Sequence, residues 1–331
     1  MAIELGGLHH VTAITAHAPE NVAFYTDTLG LRLVKKTVNQ DDVSAYHLFY
    51  ADGAGSAGTD MTFFDWAAIP RNRPGVGEVA ALGLRVNDRG TLAWWVMRFD
   101  ERGVHHGPIG ERGGRAFLPF TDPEGQRLEL VEDGAGATIP AGVIWDGSPI
   151  PAERQIRGLS MVTLVVRVLA GTEAVLTQVL GFRELSREPG ADGGEDVVYE
   201  VGPGGAGAQV RVSVRPNLLG ARQGAGGVHH VAFRTPNDEQ HALWQRRIAS
   251  TGLGVTPVID RFYFKALYFR EPGGILFEIS TDGPGFATDE DAAHMGASLA
   301  LPPFLEPRRA AIEAGLQPLP TSAGATAEKG E

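Results

Sequence analysis

Two short motifs recur in the chain, and this internal repetition constrains the fold more than any other feature of the sequence. Gly-Leu-His-His-Val at residues 7–11 returns as Gly-Val-His-His-Val at 227–231. Glu-Pro-Gly-Gly-Ile-Leu-Phe-Glu-Ile at 271–279 resembles Asp-Pro-Glu-Gly-Gln-Arg-Leu-Glu-Leu at 122–130. Repeats of this kind indicate that one supersecondary unit is used several times.

The apolar pattern between these motifs divides the chain into four units. Each unit is predicted to be βαβββ, because one helical stretch follows the first alternating strand and three strands follow the helix. The fold class is therefore predicted to be α+β, with four such modules. The predicted helices span residues 19–29, 92–102, 172–180 and 239–251.

The same pattern predicts how the modules follow one another. Residues 1–135 are expected to hold the first two modules and 156–283 the third and fourth. Residues 136–155 are rich in glycine and proline and are predicted to be a linker. A C-terminal extension is expected over 284–317, with a short helix near 308–314, and a disordered tail over 318–331.

Composition limits the chemistry that is open to this chain. A formal net charge of −11 disfavours nucleic acid and anionic membranes as partners. The chain has no apolar run of about 18 residues and no signal-peptide pattern, so a cytoplasmic protein is expected. Cysteine is absent, which leaves imidazole and carboxylate groups as the metal ligands to consider.

Strand alternation suggests which histidine of each His-His pair faces a common site. Neighbouring side chains on a strand point to opposite faces, so only one of each pair should face it. In the fourth unit Val231 and Phe233 are expected to pack under the helix, with His229 on their face. His230 would then lie on the other, concave face, and the same alternation puts Glu278 there.

His10, His230 and Glu278 together match the two-histidine, one-carboxylate triad that binds non-haem iron. Taken singly, a solvated glutamate or a structural histidine is the simpler interpretation. The recurrence of the pair in two repeats, one of which supplies the glutamate, favours a metal site. The second unit keeps Glu129, but the first strands of the second and third units lack histidine. A single site is therefore predicted where the first and fourth units meet.

Several longer motifs resemble one protein family. They are GLHHVTAIT, FYTDTLGLRLVKKTVNQDD, YHLFYAD, GTDMTFF, GVHHVAF, DRFYFKALYFREPGGILFE and DGPGF. Over roughly residues 5–305 the chain resembles the ring-cleaving dioxygenases of the vicinal-oxygen-chelate superfamily, in particular the hydroquinone dioxygenases. The resemblance implies two cup-shaped, barrel-like mixed β-sheets with helices outside.

The resemblance also implies roles for individual residues. His10, His230 and Glu278 would bind Fe(II), with Mn(II) as the alternative metal. Catalytic roles would fall on Tyr268, Arg261, His229 and His9, and Thr12 would contact the substrate. His47 lies in a predicted strand and is kept as a second candidate for lining the pocket.

The implied reaction is cleavage of a hydroquinone-type diol with O₂. An extradiol catechol dioxygenase and a glyoxalase-type metal-dependent lyase are the alternatives on the same fold. The glyoxalase type commonly adds a second carboxylate ligand, which the sequence near residues 61–63 does not offer. His17, His241, His294, Lys35 and Lys36 are expected at the surface, and homo-oligomer formation is left open.

Overall fold

The computed structural model describes residues 3–134 and 137–319 of the 331-residue chain. Most of the predicted disordered tail, residues 320–331, therefore lies outside the described residues. The predicted division into two pairs of modules with a linker stays a prediction. None of the helices in the described ranges has the length and apolar content needed to cross a bilayer.

The first two units follow the predicted βαβββ order. The first contains β1 (Leu8–Thr15), α1 (Ala18–Ala23), which continues into a π-helical turn (Phe24–Thr28), β2 (Arg32–Val38), β3 (Tyr46–Ala51) and β4 (Asp60–Asp65). The second contains β5 (Glu78–Val86), α2 (Arg89–Arg102), β6 (Gly110–Arg112), β7 (Arg115–Thr121) and β8 (Arg127–Glu132).

The third and fourth units repeat this order after a 3₁₀ turn at Ala152–Arg154. The third contains β9 (Leu159–Val166), α3 (Leu169–Ala174) with a π-helical turn (Val175–Val179), β10 (Arg183–Pro189), a 3₁₀ turn (Ala191–Gly193), β11 (Glu195–Glu200) and β12 (Gln209–Val214). The fourth contains β13 (Gly227–Thr235), α4 (Asp238–Ser250), β14 (Ile259–Asp260), β15 (Phe264–Arg270) and β16 (Leu276–Pro284).

Side-chain caps explain why two helices begin earlier than the apolar pattern predicted. The Asp88 carboxylate accepts a hydrogen bond from the Thr91 amide at 2.7 Å and begins α2 at Arg89. The Asn237 side chain accepts one from the Gln240 amide at 3.0 Å and begins α4 at Asp238. Such caps pair amide groups that have no partner inside the helix.

The strands form two eight-stranded mixed sheets, each shared by two units. One sheet has the order β14-β15-β16-β13-β1-β4-β3-β2 and joins the first and fourth units; we call it the first cup. The other has the order β10-β11-β12-β9-β5-β8-β7-β6 and joins the third and second units; we call it the second cup. The predicted two-cup α+β fold, in which the first and fourth units meet, is confirmed.

The strands that join the units of each cup carry β-bulges. In the β1–β13 pair, Leu8 lies opposite Phe233 and His10 opposite Ala232, so His9 is an extra residue. On the other strand His229 is extra in the same way. The β5–β9 pair has corresponding irregularities at Ala80 and Ser160. A bulge redirects side chains away from strict alternation, and two of these four bulges fall on histidine pairs.

The helices pack on the outer faces of the sheets. Trp244, Ile248 and His241 share one face of α4 and are buried, and His241 is 0% exposed. The prediction of a surface His241 is wrong, because its Nε2 atom pairs with the Ile279 carbonyl oxygen at 2.8 Å on the strand beneath. That hydrogen bond satisfies a polar ring that would otherwise be costly to bury.

The C-terminal extension covers the outer strands of the first unit. After a 3₁₀ turn at Phe286–Thr288 it leads to a second 3₁₀ turn at Glu306–Arg308 and to α5 (Arg309–Gly315). Leu301, Leu305 and Ile312 pack against Val38 of β2. The same extension buries Lys35 of β2.

Candidate metal centre

Three side chains from the two central strands and β16 converge at one point of the first cup. The Nε2 atoms of His10 and His230 lie 3.3 Å apart. The Oε2 atom of Glu278 lies 2.8 Å from His230 Nε2 and 3.5 Å from His10 Nε2. All three residues are buried, and they are the only group of potential ligands with this spacing in the described residues.

These separations fit a single metal ion. Two ligands about 2.1 Å from an ion and at right angles to each other are about 3.0 Å apart. Glu278 Oε2 is buried and has no hydrogen-bond donor of suitable geometry. A buried carboxylate oxygen without a donor, facing two imidazole nitrogens, is an arrangement that a cation would complete. The donor set of two imidazoles and one carboxylate fits Fe(II) and also Mn(II).

The first histidine of each pair touches the second one and not the helix layer. The Nδ1 atoms of His9 and His10 lie 2.8 Å apart, as do those of His229 and His230. The prediction that His229 shares a face with Val231 and Phe233 is therefore wrong. The bulge at each first histidine cancels the alternation on which that prediction depended.

These contacts fix a consistent set of imidazole tautomers. His9 Nε2 donates to the Thr281 carbonyl oxygen at 3.1 Å, so its Nδ1 is free to accept. His10 Nδ1–H can then donate to His9, which leaves the Nε2 lone pair of His10 for a metal. The His229–His230 contact allows the same arrangement on β13. Hydrogen bonds of this kind orient metal-ligating imidazoles in other proteins.

The charge states of these groups agree with that arrangement. Burial lowers the pKa of His9 and of His229 to about 3, so both rings are neutral. Burial also lowers the pKa of His230, although Glu278 opposes this effect. Burial by itself would raise the pKa of Glu278, but the two imidazoles hold it well below its usual range. The ionised carboxylate also accepts a hydrogen bond from Ser280 Oγ at 2.5 Å.

A cavity opens from this centre toward the rim of the first cup. Most of the wall is aromatic. The lining residues are His10, Thr37, Asn39, Gln40, Asp41, His47, Phe49, Phe64, His230, Arg261, Tyr263, Phe264 and Tyr268.

Arg261 and Tyr268, two of the predicted catalytic residues, line this cavity together. The Arg261 guanidinium lies 5.6 Å from the centre of the Tyr268 ring. It also donates to the Asp41 carboxylate at 2.8 Å, at the rim. Burial raises the pKa of Tyr268, and the nearby Glu278 charge adds to that rise, so its hydroxyl is protonated at neutral pH.

The two predicted substrate-contacting residues are placed differently. His47 lines the cavity between Phe49 and Phe64, and burial lowers its pKa well below its usual range. Thr12 is buried and does not line the cavity. Its hydroxyl lies 2.8 Å from the Thr62 hydroxyl, which lies 3.0 Å from His47 Nε2. Thr12 is therefore connected to the cavity through Thr62 and His47.

Some residues around the centre were not singled out from the sequence. Phe264 lies with its ring centre 5.4 Å from that of His9 and 5.3 Å from that of His10. Ser280 could have been found, because it lies two residues after Glu278 and so on the same face of β16. Phe264 carried no such signal, since an aromatic residue in a strand is usually part of the core.

Lys35 was expected at the surface and is instead 0% exposed. Its ammonium group binds Glu290 and lies 2.7 Å from the Asp289 carboxylate, both on the C-terminal extension. It also lies 4.7 Å from the centre of the Tyr263 ring, and the Tyr263 hydroxyl donates to Asp289 at 2.9 Å. The extension thus fixes Tyr263 in the cavity wall.

Comparisons with known proteins identify the family to which this fold belongs. The curated "Putative ring-cleaving dioxygenase MhqA" of Bacillus subtilis (strain 168) is 47% identical over 96% of this chain and 100% of its own length. The "Chlorohydroquinone/hydroquinone 1,2-dioxygenase" of Sphingobium indicum is 33% identical over 91% of this chain and 92% of its own length.

A solved structure and a family model extend the comparison. The crystal structure of a "putative dioxygenase" from Bacillus subtilis subsp. subtilis str. 168 superimposes with a TM-score of 0.86 and 40% identity, covering 97% of this chain and 99% of that chain. The family model of the glyoxalase/bleomycin resistance protein/dioxygenase superfamily matches residues 7–130 and 158–279. This chain belongs to the glyoxalase/bleomycin resistance protein/dioxygenase superfamily.

Proposed function

We propose that this protein is an Fe(II)-dependent ring-cleaving dioxygenase that acts on a hydroquinone-type aromatic diol with O₂. The observation that supports it most strongly is the convergence of His10, His230 and Glu278 at the base of an aromatic cavity. The ring-cleaving and hydroquinone activities in the names of the similar proteins support the same reaction.

His10 and His230, through Nε2, and Glu278, through Oε2, are the residues that would hold the ion. When bound, Fe(II) supplies Lewis acidity toward a diol hydroxyl and a position for O₂. A metal-bound imidazole is neutral and the Glu278 carboxylate is ionised, so the loaded centre would keep a net positive charge. That charge favours binding of the deprotonated, anionic form of the diol over its neutral form. Mn(II) is kept as the alternative metal.

The residues around the centre have separate proposed roles. The protonated Tyr268 hydroxyl and the Arg261 guanidinium would stabilise negative charge that develops on substrate oxygen atoms. His47 is neutral and lines the cavity, so its ring can form a hydrogen bond with a diol hydroxyl. His9 and His229 would orient the two ligating imidazoles. The faces of Phe49, Phe64 and Phe264 would hold a flat ring and exclude water.

Two alternatives on this fold have less support. A glyoxalase-type lyase commonly uses a second carboxylate, whereas the position that corresponds to Glu278 in the first unit is Thr62, whose hydroxyl pairs with Thr12. An extradiol catechol dioxygenase usually takes its ligands from one half of the chain. Here His10 and His230 are separated by 220 positions and meet only through the β1–β13 pair.

Oxygen consumption tests the proposal directly. Protein is loaded with Fe(II) or, separately, with Mn(II). Its O₂ uptake is then measured with hydroquinone, methylhydroquinone, catechol and the methylglyoxal–glutathione hemithioacetal. We expect O₂ uptake with the two hydroquinones and higher turnover with Fe(II). Uptake with catechol alone, or conversion of the hemithioacetal without O₂ uptake, would overturn the proposed activity.

A further inference from the structure

The second cup keeps the architecture of the first but not its metal ligands. Residues 264–278 align without a gap with 115–129, and the hairpin before them, 260–263, aligns with 111–114. By strand register, Ala81 takes the place of His230, Met161 that of His10 and Glu129 that of Glu278. Glu129 therefore has no imidazole at either of the two positions that hold histidines in the first cup.

The retained carboxylate is neutralised from within the cup. Arg112, which corresponds to Arg261, donates to Glu129 through both terminal nitrogens, one of them at 3.1 Å. Its guanidinium also lies 4.4 Å from the centre of the Phe117 ring. An ion pair that occupies both carboxylate oxygens leaves no anionic ligand for a metal ion.

A cavity is nevertheless present at the concave face of this cup. Its apolar lining consists of Phe117, Val131, Met161, Leu185 and Val198. The cavity is therefore suited to a ligand with an apolar body.

One lining side chain, Arg115, supplies a positive charge. Arg115 corresponds to Phe264 of the first cup, and one terminal nitrogen donates to the Gln209 side-chain oxygen at 2.5 Å. Within the described ranges Arg115 forms no ion pair, and the neighbouring acids are engaged elsewhere. Asp133 binds Arg85 at 2.7 Å, and Glu132 accepts a hydrogen bond from the Ala116 amide at 2.7 Å.

We propose that the second cup is a metal-independent binding site for a small monocarboxylate with a flat apolar body, such as an aromatic acid. The carboxylate would pair with the free nitrogens of Arg115, and the body would lie on the apolar lining. A guanidinium with four unused donors matches the two oxygens of a carboxylate. The proposal does not depend on a metal or on the reaction of the first cup.

The test is a binding titration with 4-fluorobenzoate, followed by ¹⁹F NMR, with 4-fluorobenzamide as the uncharged probe. Arg115→Met should weaken binding of the carboxylate about tenfold or more, and Arg115→Lys should restore part of it. Arg261→Met, which removes the arginine that lines the cavity of the first cup, should leave this binding unchanged. The amide should bind the wild-type protein at least as weakly as the carboxylate binds Arg115→Met.

Two outcomes in the arginine variants would overturn the proposal. One is unchanged affinity in Arg115→Met, and the other is a loss of affinity in Arg261→Met alone, which would move the site to the first cup. If Arg115→Met does not fold, Val198→Trp provides a second route, because it fills the cavity without removing the charge. Retained 4-fluorobenzoate binding in Val198→Trp would equally contradict a site in the second cup.

Discussion

The two cups have the same strand order, bulges at corresponding positions and a Pro-x-Gly turn that leads into a glutamate, but only the first brings metal ligands together. At the positions of His10 and His230 the second cup has Met161 and Ala81. The comparison indicates that the same strand order and bulges can form with or without a set of metal-ligand side chains. Two side chains, at the positions of His10 and His230, therefore distinguish the candidate metal centre from the cavity of the second cup.

The matching arginines sharpen this difference. In the second cup Arg112 binds the retained Glu129 directly. In the first cup Arg261 is paired with Asp41 at the rim, 2.8 Å away. Glu278 is therefore left to the two imidazoles, and its charge is available to a cation. The corresponding arginines therefore have different carboxylate partners in the two cups.

Removal of the glutamate from each cup should have the largest effect and should be confined to one of them. Glu278→Ala is expected to abolish both iron binding and O₂ uptake, because it removes the only anionic ligand of the centre. Glu129→Ala should keep the wild-type iron content. Iron bound per chain, measured after Fe(II) loading and desalting, checks both variants. Retained O₂ uptake in Glu278→Ala would contradict the assigned centre.

Changes at the bulged residues should have the next largest effect. His9→Ala and His229→Ala remove the hydrogen bonds to the ligating imidazoles, and each is expected to lower iron affinity about 10–100-fold. Ser160→Ala, at a corresponding bulge of the second cup, should leave iron affinity unchanged. Competition with a chelator measures the affinities. Equal affinities in all three variants would mean that the bulged histidines do not orient the ligands.

The buried neutral histidines should also make the first cup sensitive to acid. The pKa of His9 and of His229 is about 3 in the folded protein and near 6.5 in the unfolded chain. The unfolded chain therefore binds more protons below pH 6.5, and stability falls as the pH decreases. Each histidine should cost about 2 kcal/mol of unfolding free energy between pH 7 and pH 5.

Urea unfolding of the metal-free protein at pH 7, 6 and 5 measures this effect. His9→Gln and His229→Gln should each reduce the pH dependence by that amount, whatever their stability at pH 7. A variant that keeps the wild-type pH dependence would show that the replaced ring is not neutral in the fold.

The smallest expected effect concerns the hairpin that carries Arg261. Phe262 has a φ of +71°, and the corresponding residue of the second cup is Gly113 with a φ of +57°. A left-handed conformation costs a residue with a side chain about 1–2 kcal/mol. Phe262→Gly should therefore be more stable than Phe262→Ala by about 1 kcal/mol, and Gly113→Ala should lose a similar amount.

Thermal or urea unfolding of the three variants checks this prediction. If Phe262→Ala were more stable than Phe262→Gly, the turn would not be strained. That the first cup keeps phenylalanine at this position, between the cavity residues Arg261 and Tyr263, connects the strained turn to the candidate site.

Much of the fold was predictable because local patterns specify the modules. The apolar pattern and the repeated motifs predicted four βαβββ units, and the histidines indicated that the first and fourth units meet. Burial of His241 and Lys35 was not predictable in this way. The His241 ring is buried because it forms a hydrogen bond with the Ile279 carbonyl oxygen of β16. The Lys35 ammonium group is buried because it pairs with carboxylates of the C-terminal extension.

The sequence by itself determined which residue types could hold a metal and that a single set of them existed. With no cysteine, a repeated His-His pair and one glutamate on a predicted concave face, His10, His230 and Glu278 were the candidates. Only the tertiary structure decided what His9 and His229 do. A β-bulge is a property of two paired strands, and β1 and β13 come from opposite ends of the chain. Alternation within one strand therefore gave the wrong face for these two histidines, and the pairing put them beside the ligands.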